Sequence, residues 1–306
     1  MTSIYEPRFT NEEAARKHLE AIRWPDGPFC PHCGSFGCTR LEGKKHRAGL
    51  VQCNDCRQQF TVTVGTVFER SKVPLFKWLL VNHLLCASKK GISAHQVHRM
   101  IGVTYKTAWF MCHRIREAMK QDTGPLGGSP ERVVEADETF VGGKTGNRAY
   151  ARKHTVKQVV FSLVERGGHV RSFHIANVNA ATIRPLLFQH ADRLSSLSTD
   201  ESQVYADAGK HYWNHQKVNH KADQYAYTAK GVRWHTNTVE NFFSIFKRGI
   251  VGIYHHVSRA HLSRYASEFD FRYNYREATD GERADQSLRG IYGKRLTYRR
   301  PHAIAA

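Results

Sequence analysis

The 306-residue chain carries 46 lysines and arginines against 27 acids, a formal charge of +19, together with 19 histidines. That excess points to a polyanionic partner, and the lack of a long apolar run, a secretory signal or a lipidation motif favours nucleic acid over a membrane surface. The length leaves room for two or three domains; four of the seven cysteines fall in two C-x-x-C pairs, a usage suited to metal binding in a reducing, cytoplasmic compartment rather than to disulfides.

In chain order, Asn11 to Arg23 reads as a short amphipathic helix capped by Asn11, with Glu12 and Glu13 in its first turn and Trp24-Pro25-Asp26-Gly27 ending it. Cys30-Pro31-His32-Cys33 is then answered by Cys53-Asn54-Asp55-Cys56. Each pair forms a knuckle that offers two thiolates to a tetrahedral ion, so Cys30, Cys33, Cys53 and Cys56 are expected to bind one Zn²⁺. Four thiolates leave no open coordination position, which makes that zinc structural. The segment between the knuckles is long enough for a β-hairpin, and Gln58 to Thr63 reads as the following strand. Cys38 is a spare small residue, and Cys86 and Cys112 sit on apolar helical faces as core.

Residues 73–120 read as all-helical. A nearly all-apolar helix begins at Pro74, in a first-turn position, and closes at Lys89-Lys90-Gly91. Ser93 caps Ala94 to Ile101, Gly102 makes the turn, and a second helix runs from about Thr104 to Lys120. Two helices joined by a brief Gly-containing turn make a helix-turn-helix-like, DNA-binding pattern. On its second helix Ala108, Met111, Cys112, Ile115 and Met119 share the apolar face, while Tyr105, Lys106, His113, Arg114 and Arg116 are polar. Tyr105, Lys106 and Arg114 are the DNA-binding candidates, because a recognition helix presents N-terminal residues to bases and cations to phosphates. An ordinary helical hairpin with a solvated basic face is the competing reading, and the net charge tips the balance.

Gly124 to Pro130 is a linker by composition. After it, Val133-Val134-Glu135-Ala136-Asp137-Glu138-Thr139-Phe140-Val141-Gly142-Gly143 starts as a buried strand and places three acids in it. Alternation sends Glu135 and Asp137 to one face and Glu138 to the other. A carboxylate on a central strand costs desolvation energy unless it is paired or binds a cation, so Asp137 is the first candidate ligand of a divalent metal. A basic, Gly-containing loop follows from Gly142 through His154; as a phosphate cradle it is weak. Val156 to Glu165 and His169 to Ala176 form a hairpin through Arg166-Gly167-Gly168, Asn179 caps a helix over Ala180 to Ala191, and a short strand ends at Asp200. Three strands, a helix and a strand, with acids on the first and fourth strands, are the layout of an RNase H-like α/β domain.

In His235 to Gly249, Val239, Phe242, Phe243, Phe246 and Ile250 fall on one helical face. Glu240, Ser244 and Lys247 lie along the neighbouring face, so one helix offers a carboxylate to a metal and a lysine to a phosphate. The alternative for Glu240 is a capping box with Asn237 as N-cap. Arg259 to Tyr275 reads as a closing helix, and Gly290 through Arg300 as a basic tail.

The segments Val134 to Lys144, Ser198-Thr199-Asp200-Glu201-Ser202, Val218-Asn219-His220, His235 to Ile250 and Tyr254-His255-His256-Val257-Ser258 together resemble the ISXO-two-like insertion-sequence transposases, over roughly residues 20–277. The resemblance implies an N-terminal zinc ribbon and a DDE catalytic domain, with Asp137, Asp200 and Glu240 as ligands of catalytic Mg²⁺ (or Mn²⁺) and Lys247 steadying a phosphate. Asp207 competes with Asp200 for the second position; Asp200 is chosen because it ends the strand within the matching motif. Asn237 competes for the third, where Glu240 is chosen for its register with Lys247. His255, His256 and His261 receive no ligand role. The expected organisation is a ribbon unit (1–70), a helix-turn-helix-like domain (71–123), a linker (124–130), an RNase H-like catalytic domain (131–277) and a basic C-terminal tail (278–306). The expected activity is metal-dependent cleavage of double-stranded DNA at terminal inverted repeats and strand transfer into target DNA, in a homodimer or larger assembly at the bacterial nucleoid. A nuclease without strand transfer and a non-catalytic DNA-binding regulator are the rivals.

Overall fold

The computed structural model describes residues 3–120, 124–142, 157–219, 226–229 and 231–297. Two compact units divide the chain: Met1–Gln121 with Tyr275–Ala306, and Asp122–Asn274.

In the first unit, α1 (Glu12–Arg23) is capped by Asn11, whose side chain accepts the Ala14 amide at 3.0 Å. Three short strands, β1 (Cys38–Arg40), β2 (Val51–Cys53) and β3 (Gln59–Phe60), then pair antiparallel in that order. The strand expected to reach Thr63 ends at Phe60, because the Val64 and Thr66 amides turn back to the carbonyls of Thr61 and Thr63. Three helices follow: α2 (Leu75–Ala87), α3 (Ala94–Ile101) and α4 (Tyr105–Met119). Pro74 is the N-cap of α2 rather than a residue of its first turn, and the Glu12 carboxylate accepts the Leu75 and Phe76 amides at 2.9 and 3.3 Å. Ser93 and Thr104 cap α3 and α4 through the amides of Gln96 and Thr107, and Gly102 turns between them at φ 64, a left-handed conformation that glycine adopts without a Cβ penalty.

The second unit is built on a five-stranded sheet. β4 (Val133–Val141), β5 (Gln158–Glu165) and β6 (Val170–Ile175) run antiparallel; α5 (Ala180–His190) crosses to β7 (Ser196–Asp200), which pairs parallel with β4. A short α6 (Ala206–Gly209) precedes β8 (Asn214–Val218), parallel to β7, so the sheet order is β6-β5-β4-β7-β8. β8 has one buried residue, Val218, and its polar run Asn-His-Gln-Lys carries no apolar alternation for a sequence reading to detect. A separate hairpin, β9 (Ala226–Ala229) with β10 (Val232–His235), leads into α7 (Asn237–Gly249), and α8 (Leu262–Asn274) closes the unit.

Alternation along the strands gives the sheet two cores. Val134, Ala136, Phe161, Leu163 and Leu197 pack with Ile183, Leu187 and Tyr205 on one face. Val141, Val160 and Val164 pack with Val239, Phe242, Phe243, Phe246 and Phe269 on the other. Burial of each such Phe contributes about 1.5–3 kcal/mol, so the aromatic face is the main apolar attachment of α7 to the sheet. The basic loop from Gly143 to His154, Val156 at the expected start of β5, and His220 lie outside the described residues.

Residues 278–306, expected as a tail, contain a further helix, α9 (Asp280–Arg289), in the first unit. Thr279 and Glu282 close a capping box at its start. Asn82 donates to the Ala284 carbonyl at 2.9 Å and accepts from Ser287 at 2.8 Å, and Ala284, Leu288 and Ile291 are buried. At Gly290 a Cβ would meet the Ala118 carbonyl oxygen at 2.2 Å, so glycine permits the close approach to the end of α4. The signals for α9, Thr-x-x-Glu and apolar residues at i, i+4 and i+7, are present in the sequence but sit among many charges. The end of the chain beyond residue 297, including Arg300, is outside the described residues. No helix among the described residues is long and apolar enough to cross a membrane.

Candidate functional site

The ribbon brings Cys30, Cys33, Cys53 and Cys56 together with their sulfur atoms within 4.8 Å of one another. Sγ of Cys30 lies 3.6 Å from that of Cys56, and Sγ of Cys33 lies 3.6 Å from that of Cys53. A tetrahedron with zinc–sulfur bonds near 2.3 Å has edges of about 3.8 Å, whereas a disulfide needs about 2.05 Å. The donor set and spacing therefore fit a closed, structural zinc site. Amides of Cys56 and Asp55 lower the Cys53 thiol, while burial and hydrogen bonding among the four thiols raise Cys33 and Cys56, so without a metal the cluster shares its remaining protons. Cys38, opposite Cys53 on the neighbouring strand, lies beside the cluster but outside the group of four, its Sγ 3.5 Å from the Ser35 carbonyl.

In the second unit, β7 ends alongside the middle of β4. Their parallel register runs from Val133 opposite Ser196 to Ala136 opposite Thr199, and one step further sets Asp137 beside Asp200. Asp137, Glu138, Thr139, Glu240, Phe243, Ser244, Lys247 and Arg248 line an open cleft of about 490 Å³. Burial pushes the Asp137 carboxyl up to about 8, the Glu138 amide opposes this, and the charges of Glu138, Asp200 and Glu240 add to the rise. Glu138 is likewise raised, first by burial, with the Tyr205 hydroxyl opposing and Asp200 adding to it. Asp137 thus feels the charges of Glu138, Asp200 and Glu240, a repulsion that a divalent cation bound to hard oxygen ligands would relieve. Among the described residues only the four thiolates close to within 4.8 Å; the carboxylates surround a wider opening.

Glu240 reaches the cleft from the first turn of α7. Asn237 is the first residue of that helix and not its cap; Thr236 occupies the cap position and donates its hydroxyl to Glu240 Oε1 at 2.7 Å. The helix end is satisfied instead by Glu135, fully buried two residues before Asp137 and on the same face of β4. Its Oε2 accepts the amides of Thr238 and Val239 at 2.9 and 3.0 Å, and its Oε1 accepts the Thr238 hydroxyl at 2.9 Å and Arg166 Nε at 2.6 Å. A carboxylate on the open amides of a helix N-terminus contributes up to about 2 kcal/mol in partly buried geometry. Arg166 also donates to the carbonyls of Arg233 and His235, tying the end of β10 into the same cluster. His235 Nδ1 lies 3.1 Å from Glu135 Oε1 without a hydrogen bond, and burial and the neighbouring Arg166 charge lower its pKa, so the cation facing Glu135 is Arg166. The sequence reading assigned Glu135 no role; acid spacing at i and i+2 on one strand face was its only local signal.

The remaining candidates divide sharply. Asp207 is paired with Arg184 on α5, 2.9 Å away; neither it nor Asp200 is among the residues lining the cleft, but Asp200 lies one register step beyond Thr199 beside Asp137 and its charge acts on Asp137. Lys247 and Arg248 are exposed at its rim. On α4, Tyr105 and Lys106 are exposed, and the Tyr105 ring stacks on His95 of α3 at 4.1 Å. Arg114, expected at a DNA surface, is buried: it donates to the Glu69 carbonyl at 2.7 Å and lies over the rings of Trp78 and Phe110. His113 and Arg116 are buried as well. Their places on α4 turn them into the core, so in this fold they brace the unit rather than present charge to phosphate.

Fold and sites define a zinc-ribbon protein whose α/β unit opens an acid-lined cleft. Residues 125–274 match the ISXO2-like transposase domain, and residues 10–59 match the transposase zinc-ribbon domain. A protein of Halobacterium salinarum described as "Uncharacterized protein in transposable element ISH50" is 29% identical over 288 residues, spanning 86% of this chain and 91% of that one. The chain belongs to the ISXO2-like insertion-sequence transposases. It is accordingly a DNA-binding, DNA-cleaving enzyme with a structural zinc ribbon.

Proposed function

We propose that the chain cleaves the ends of its own insertion sequence and joins them to target DNA at a DDE centre formed by Asp137, Asp200 and Glu240. The supporting observation is the place of Asp137 on β4: it lines one cleft with Glu240 of α7 and feels the charges of both Glu240 and Asp200, the last residue of β7. Carboxylate oxygens are the donors that Mg²⁺ or Mn²⁺ prefers, so the three residues fit a pair of such ions. Bound there, the ions supply activation of water or of a 3′-hydroxyl and stabilisation of the departing oxygen in an in-line displacement. Lys247, about two turns along the same helical face as Glu240, holds a DNA phosphate at the rim, and Thr236 orients the Glu240 carboxylate through its hydroxyl. The sheet order, three antiparallel strands followed by two parallel ones, supports an RNase H-like fold for this unit.

End recognition falls to the helix-turn-helix-like pair α3 and α4 through Tyr105 and Lys106, with the ribbon in the same unit. Two element ends must meet for joining, so the acting form is a homodimer or larger assembly on DNA in the cytoplasm. Incubation with labelled element ends, a target plasmid and Mg²⁺ tests the reading. Nicked and joined products are expected; nicking without joining reduces the activity to that of a nuclease, and neither product removes the catalytic assignment.

A further inference from the structure

We propose that Glu135 is a positioning residue of the acidic site: it locks the N-terminus of α7, and with it Glu240, to the strand that carries Asp137. The proposal rests on the DDE reading above. The geometry is specific to that task. Glu135 and Asp137 stand two residues apart on one face of β4, while the amides that Glu135 accepts belong to Thr238 and Val239, immediately before Glu240. One carboxylate therefore relates the first and third acids of the site through a single strand step and a single helical turn.

Thr236, at the cap position of α7, makes no side-chain cap bond to the helix and spends its hydroxyl on Glu240. With Thr236 so committed, the amides of Thr238 and Val239 depend on a group from outside the helix, and Glu135 is that group. Arg166 holds Glu135 from the other side while bonding the carbonyls of Arg233 and His235, and the Ser198 hydroxyl donates to the same His235 carbonyl at 2.8 Å. Ser198 lies two residues before Asp200 on β7. The cluster thus touches the elements bearing all three acids: β4 through Glu135, β7 through Ser198, and α7 through Thr238. These bonds join the elements that carry the acids, so the cluster acts on the metal through their placement. Groups that orient metal ligands in this indirect way commonly change metal affinity by about 10- to 100-fold when removed.

The test is Mn²⁺ binding to the full chain, read from the electron paramagnetic resonance signal of free Mn²⁺ well below each variant's melting temperature. Glu135→Gln should weaken binding by about tenfold or more while zinc content, circular dichroism and non-specific DNA affinity stay at wild-type levels. Glu135→Asp should recover part of the loss, because it restores the charge. Thr238→Val keeps the buried carboxylate and removes one of its bonds; it should weaken binding by a smaller factor and decides the matter if Glu135→Gln does not fold. Asp137→Asn is the reference. If Asp137→Asn leaves Mn²⁺ binding intact, the DDE reading itself falls; if it abolishes binding while Glu135→Gln or Thr238→Val binds as wild type, the positioning role is overturned. A lower melting temperature with unchanged Mn²⁺ affinity would make Glu135 a structural residue only and overturns the proposal equally.

Discussion

The Tyr205 hydroxyl donates a 2.5 Å hydrogen bond to Oε2 of Glu138, on the face of β4 opposite Asp137. Tyr205 is fully buried, so this bond supplies the protein partner for a carboxylate at the rim of the acidic cleft. Hydrogen bonds to charged groups contribute about 1.5–3 kcal/mol, and Tyr205→Phe should lower unfolding stability by that order in denaturant titration. Cleavage should slow without disappearing. A stability equal to wild type would show that Glu138 is satisfied by solvent instead.

Asp137→Asn, Asp200→Asn and Glu240→Gln should each abolish cleavage and joining while end binding holds in a mobility-shift assay. Each change keeps the shape and removes the negative charge that a hard cation requires. Asp207→Asn and Asn237→Ala should stay active, since Asp207 is engaged with Arg184 and Asn237 makes no cap. A dead Asp207→Asn beside an active Asp200→Asn would move the second ligand. Lys247→Ala should reduce the rate and leave residual activity, because a rim charge assists and the acids remain.

One zinc per chain should be found by metal analysis, and Cys33→Ser should lose it together with the fold of the ribbon. Cys38→Ser should retain the zinc, as that sulfur faces the Ser35 carbonyl. Retention of zinc by Cys33→Ser would remove Cys33 from the ligand set.

On α4, Lys106→Ala should weaken DNA binding and reduce the slope of log affinity against log salt by about one, the signature of one lost phosphate contact. Arg114→Ala should instead lower stability by about 2 kcal/mol or more, since it removes a buried side chain with its bond to Glu69. Salt titrations and melting curves of the two variants separate surface charge from core support. An unchanged melting curve for Arg114→Ala, with a reduced salt slope, would return Arg114 to the DNA surface.

His215 provides a pH signature. Burial, with Lys217 adding, pushes its pKa down to about 4, while its Nε2 lies 3.0 Å from Thr199 Oγ1. The unfolded chain takes up a proton near 6.5 that the folded chain refuses until about 4. Stability from this group is therefore complete above about 6.5 and is lost as pH falls towards 4, by roughly 1 kcal/mol per pH unit. His215→Gln should flatten that part of the curve in pH-dependent melting. Parallel curves for wild type and variant would show that His215 takes up its proton over the same pH range in the folded and unfolded chain.

What could be read in the sequence was what near neighbours in the chain encode. The thiol knuckles, the Asn11, Ser93 and Asn179 caps, the turn at Gly102, the strand alternation of β4 and the aromatic face of α7 each depend on residues within a turn or two of one another. Tertiary structure decided everything that depends on which distant segment comes to lie alongside. Arg114 and Lys106 are indistinguishable as cations on one helix until packing buries the first over Trp78 and leaves the second exposed. Local pattern offered Asn237 as the cap of α7, but a carboxylate about a hundred residues earlier took that role, because β4 runs past the helix end. α9 became part of the first unit because Asn82 and the Ala118 carbonyl were there to receive it. A hydrogen-bond partner across the fold leaves no periodicity in the chain; it exists only once burial has removed water as the competing partner, and that happens on folding.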